Sequence, residues 1–141
     1  PGWLRVSGPD AHPYDLMLHN QRGVSIGLMA TPVAYDDLHR LGTDIRRQEL
    51  SRDMLTAQEL IRLEGRPFIQ RKLRLVTQQV LALDCLEKRV AYHLLCAAPR
   101  EVYDVYEPLF LAVAGTLRSV EPVTPAAAPA ESGAAGTPGS G

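Results

Sequence analysis

The chain has 141 residues, 45% hydrophobic and 22% charged, a composition that suits one globular domain. Its 15 Lys and Arg against 16 Asp and Glu give a formal net charge of −1 with no basic block, which argues against nucleic acid or an anionic membrane as partner. No run approaches the ~20 apolar residues of a membrane span, and two cysteines are too few for a disulfide framework.

Trp3 to Val6 reads as a first strand, closed by the turn cluster "SGPD". "PYDLMLHN" places Tyr14, Leu16 and Leu18 on one face with a period of two, and Val24, Ile26 and Leu28 repeat that pattern after a turn. A hairpin around Asn20–Gly23 follows. In the next stretch the period changes: Leu38, Leu41 and Ile45 recur at +3 and +4, predicting a helix over Tyr35–Leu50. Thr31-Pro32 is read as its opening, and Asp36 and Asp37 suit the positive end of its dipole. "LTAQELIRLEG" is mixed, either a helical continuation or a strand entering the Glu64-Gly65 turn. "PFIQRKLRLVTQ" alternates as a strand, and its basic residues are read as a solvated face that leaves Arg71 at the sheet rim.

"QVLALDCL" and "RVAYHLLCAA" form a hairpin apolar on both faces, the mark of strands in the middle of a covered sheet. A two-residue turn at Glu87–Lys88 would set Cys85 opposite Val90 and Cys96 opposite Gln79. The two cysteines would then lie about 20 Å apart along the ladder, well beyond the ~7 Å a disulfide allows, and are read as buried thiols. In that register Asp84 faces Ala91, so His93 is only its diagonal neighbour and is read as a hydrogen-bonded structural histidine rather than a base.

Pro99 ends the last strand. Val102, Tyr106, Val113 and Leu117 then recur at helical spacing, but Pro108 interrupts. Arg100–Tyr106 is therefore read as a looser turn or a kinked first segment and Glu107–Arg118 as the helix proper. The fold class that follows is α+β: an α/β/α sandwich with a central antiparallel sheet covered by helices on both faces. The folded domain spans residues 1–120. In residues 121–141, Pro, Ala, Gly, Ser and Thr supply 18 of 21 positions, the composition of a disordered tail that has too little to bury.

The chain carries no Gly-rich phosphate loop, no H-E-x-x-H, no G-x-S-x-G and no EF-hand loop, and its four histidines are scattered. The expectation is a protein that is not an enzyme and has no catalytic residue, cofactor or metal. Recognition would then rest on shape and apolar contact with another protein. Two surfaces suit it: the strand edge at Trp3–Val6, open to an added strand, and the Asn20–Gly23 end, where Tyr14, His19 and Arg22 would form a polar rim.

The order "PGW", "YDLMLHNQRGVSIGLMATP", a helix, "EGRPFIQRKLRL", a two-faced hairpin and "AYHLLCAAPREVYDVYEPLFLAVAGTLRSV" resembles the PsbP/DcrB-like family, whose fold is shared with the Ran-binding Mog proteins. Cys96-Ala97-Ala98-Pro99, Leu117-Arg118-Ser119-Val120 and Gly65 stand where that family has its strand end, its helix end and its glycine before the long hairpin. The resemblance covers about residues 1–120 and transfers no catalytic residue. It implies a non-catalytic accessory or adaptor protein of the bacterial cell envelope, periplasmic or on the outer surface, lipid-anchored, bound to another protein. The opening "PGW" without a methionine is read as the mark of a removed upstream segment and favours this. The alternative it implies is cytoplasmic: a chaperone or adaptor for an apolar segment of a partner, of the secretion-effector type, or a GTPase-binding regulator.

Overall fold

The computed structural model describes residues 2–117, so the 121–141 tail lies outside the described residues. Seven strands form one antiparallel sheet: β1 (Trp3–Val6), β2 (Leu16–Asn20), β3 (Ser25–Pro32), β4 (Glu59–Leu63), β5 (Arg66–Arg74), β6 (Gln78–Glu87) and β7 (Val90–Pro99). Helix α1 (Leu38–Ser51) follows β3 and α2 (Tyr103–Gly115) follows β7. The spatial order is β1-β2-β3-β7-β6-β5-β4, so two meanders join where β3 pairs with β7. This is the α/β/α sandwich expected from the sequence.

Strand alternation divides the interior in two. Leu81, Leu83, Leu94 and Cys96 of the long hairpin, together with Phe68 and Ile26, pack with Tyr103 and Phe110 of α2. The opposite side chains, Ile69 and Ala91, pack with Leu41 and Ile45 of α1 in a smaller cluster. Leu83→Ala or Leu94→Ala should each lower the unfolding free energy by about 2–5 kcal/mol, measured by urea denaturation, because both leucines are fully buried in the larger cluster.

Three local expectations are corrected. The β6–β7 turn is Lys88–Arg89, not Glu87–Lys88; both residues take positive φ (53° and 61°), as a tight hairpin turn with the right twist requires. Asp36 Oδ1 accepts from Arg89 N at 2.6 Å and helps hold that turn. The register therefore shifts by two: Cys85 faces Tyr92, Cys96 faces Leu81 and Asp84 faces His93 directly. Both cysteines remain buried free thiols on one face, and burial raises Cys85 to about 11 and Cys96 to about 12.

Thr31-Pro32 does not open α1. It ends β3, where β2 has already stopped pairing at Leu28 and an edge accepts a proline. The helix starts at Leu38 instead, capped by Asp37, whose carboxylate accepts from His39 N at 2.9 Å. In the last helix, the segment before Glu107 is helical from Tyr103 rather than a looser turn, and Pro108 lies in the interior of the helix. Tyr103 and Phe110 are both buried on the sheet, and that packing holds the helix across the missing N–H. The ambiguous "ELIRL" is strand β4, ended by a turn at Glu64 and Gly65 with φ of 51° and 77°.

Candidate functional site

On the α1 side of the sheet, one rung across four strands reads Ile69, Asp84, His93, Met29; the next reads Arg71, Ala82, Leu95, Gly27. Asp84 is thus a carboxylate in the middle of an apolar strand, and its side chain is 0% exposed. Three neighbours satisfy it and one another. Arg71 donates to Asp84 Oδ2 from Nε (3.3 Å) and Nη2 (3.0 Å), while its Nη1 donates to Glu49 Oε2 at 2.6 Å. His93 Nδ1 lies 2.7 Å from Asp84 Oδ1. Glu49 comes from the last turn of α1 and also accepts from Thr56, from its Oγ1 at 2.8 Å and its N at 3.2 Å. The result is a buried chain, Thr56–Glu49–Arg71–Asp84–His93, that ties α1 and the loop after it to the centre of the sheet.

Burial alone would raise the Glu49 carboxyl, but hydrogen bonds from Thr56 and the Arg71 guanidinium outweigh it and hold the group below its ordinary 4.5. A depressed carboxylate contributes stability that is present above 4.5 and lost as pH falls through the lower folded value. On the other face Glu107 is lowered as well, first by the Tyr103 hydroxyl (2.7 Å) and then by Lys72, so both helices carry an acid-sensitive tie. The thermal midpoint should therefore fall as pH drops below 4.5, and in Glu49→Gln it should fall by less over the same acid range.

Beside this chain lies an open cavity of about 550 Å³ between the C-terminal half of α1 and the sheet. His93 and Arg71 line its floor, Met29, Leu73 and Leu95 its sheet side, and Tyr14 its rim. The Tyr14 ring rests on Gly27 so closely that a Cβ built there would lie 2.7 Å from Cδ1. Gly27→Ala should cost about 1–3 kcal/mol by chemical denaturation, and most of that cost should vanish when Tyr14→Ala is added.

The residues expected to bind a partner do not gather at one place. Trp3 is on the edge strand β1, as expected, and is half-buried against the larger core cluster on the α2 side. Tyr14 sits on the α1 side over Gly27. His19 pairs with Leu4 and Ser25 in the middle of three strands, and Arg22 is exposed in the β2–β3 turn, where its N donates to Asn20 Oδ1 at 2.9 Å. The Asn20 amide donates in turn to the Tyr106 hydroxyl at 3.2 Å, fixing this end of the sheet to α2. The buried chain escaped the sequence reading: Arg71 is not at the sheet rim, and Asp84 and His93 are not diagonal. The lone Asp84 in "VLALDCL" was the signal available for it, since a buried carboxylate needs partners.

Among the described residues no group of three or more His, Cys, Asp or Glu side chains could hold a metal ion, and no helix is long and apolar enough to cross a membrane. No family profile matches the sequence, and no curated protein is similar to it. Solved structures are more informative. The chain is similar to the solution structure of cyanobacterial PsbP (CyanoP) from Synechocystis sp. PCC 6803, with a TM-score of 0.62 and 18% identity over 82% of this chain and 80% of that one. The fold is PsbP-like. A protein from Bacteroides thetaiotaomicron VPI-5482 is similar over 87% of this chain but 44% of its own, with a TM-score of 0.53 and 13% identity. At these identities the likeness establishes the sheet and its two helical layers, and the side chains of the PsbP-like scaffold are this chain's own.

Proposed function

We propose that the protein is a non-catalytic accessory or adaptor protein of the bacterial cell envelope, lipid-anchored, that binds another protein. The observation that carries this is the PsbP-like fold, shared over most of both chains with a cyanobacterial PsbP. It agrees with the role implied by the sequence resemblance. The free edge of β1 offers backbone groups to a partner strand, with Trp3 beside it. His19 and Arg22 at the adjoining end supply the polar contacts, and Tyr14 an aromatic one.

Fractionation of the native full-length protein, followed by crosslinked purification, tests the reading. Recovery with the membrane fraction and one stoichiometric partner, lost on Arg22→Glu with His19→Ala, is the expected result. Recovery in the cytosol with a partner's apolar segment would replace the envelope adaptor by the chaperone, and turnover of a small molecule would overturn both.

A further inference from the structure

The cavity beside α1 has a floor unlike its walls. His93 directs Nδ1 to Asp84, and its Nε2 has no protein partner among the described residues, while the ring lines the cavity. A neutral imidazole that donates Nδ1–H to a carboxylate presents Nε2 as an acceptor in a fixed orientation. The carboxylates themselves are closed to a ligand, because Asp84 and Glu49 are covered and their oxygens already accept from Arg71, His93 and Thr56. Arg71 and Arg52 stand against Asp84, Glu49 and Asp44 in and beside the cavity, so acidic groups outnumber basic ones and the lining disfavours an anion. The walls combine apolar Met29, Ile45, Leu73 and Leu95 with polar Asp44, Gln48 and Arg52 of α1 and its end, and about 550 Å³ is the size of a small-molecule pocket.

We propose that this cavity binds a small uncharged molecule with an apolar body and a single hydroxyl or N–H group, which donates to His93 Nε2. Arg71 and Asp84 act as positioning residues that hold the imidazole. The site shares only its rim residue Tyr14 with the surface of the adaptor reading, and its test uses other residues, so the failure of one is distinguishable from the failure of the other.

The test is a titration of the full chain with 2-naphthol, followed by amide chemical shifts, against 2-methoxynaphthalene, which lacks the donor, and 2-naphthoate, an anion. The expected result is one saturable site with shifts centred on Met29, His93 and Leu95, and about tenfold weaker binding of the other two probes. His93→Phe should reduce 2-naphthol to the level of its methyl ether. Leu95→Trp, which fills the cavity and leaves the charged chain intact, should abolish binding of all three. No saturable binding of 2-naphthol overturns the proposal, and so does equal affinity for 2-naphthol and its ether. If His93→Phe proves unfolded by thermal melting, the comparison of probes in the unaltered protein together with Leu95→Trp decides.

Discussion

Arg71→Ala is expected to lower the unfolding free energy by about 3–5 kcal/mol, the range for removing one partner of a buried ion pair. The loss comes from what remains. Without the guanidinium, Asp84 keeps one donor, His93, and Glu49 keeps only Thr56, so two carboxylates stay buried with their charge uncompensated. The side chain is 13% exposed, so water screens little of this. A substitution that keeps the stem but not the charge, Arg71→Met, should cost nearly as much, because the stem's packing is the smaller part. Replacing the set together, as Arg71→Met, Asp84→Leu and Glu49→Leu, should recover most of the loss, since apolar side chains of similar volume often substitute for a buried ion network without penalty. Urea denaturation of the three variants measures this directly. A cost below about 1 kcal/mol for Arg71→Ala would mean that the side chain is solvated, as its alternation in sequence suggested.

That last contrast shows what the sequence could and could not specify. The two-faced hairpin was legible because burial on both faces writes itself into composition: Leu81, Leu83 and Leu94 on one side, Ala82 and Ala91 on the other. The helices were legible from their period. The cluster was not, because it depends on register, and a slip of two residues keeps every side chain on its face while changing every partner. Setting the turn at Lys88–Arg89 rather than Glu87–Lys88 moves Asp84 from Ala91 to His93, and only then does a histidine–carboxylate pair exist. Neither turn residue is a glycine or asparagine, so the positive φ at both left no mark in the sequence. Arg71 was misplaced for another reason. Its partner Glu49 is 22 residues away on α1, and no local pattern reports a contact of that kind. Tyr14 was misplaced too. Alternation put it on the face of Leu16 and Leu18, but it precedes β2 and rests on Gly27 on the α1 side. Those leucines pair instead with Leu28 and Ile26 of the α2-side cluster.

Helix α2 tests how far packing overrides local preference. Its interior proline removes one backbone donor, and in an isolated helix a proline is unfavourable by about 3 kcal/mol relative to alanine. Val102, at the cap position, offers no side-chain acceptor to the first turn. The helix must therefore be held by its inner face, where Phe110 is fully buried with its ring centroid 6.1 Å from Tyr103 and 6.3 Å from Tyr106. Phe110→Ala is accordingly expected to cost about 3–5 kcal/mol, the range for a phenylalanine lost from a core. Val105→Ala on the outer face of the same helix, 74% exposed, should change stability by less than about 0.5 kcal/mol. The decisive measurement is amide hydrogen exchange along Tyr103–Gly115 in the two variants. If packing holds the helix, its protection should collapse in Phe110→Ala while the strands β6 and β7 stay protected, and Val105→Ala should leave both unchanged. Protection retained along α2 in Phe110→Ala would show that local interactions hold the helix despite its proline, and that the Phe110 contact with the sheet contributes little to its order.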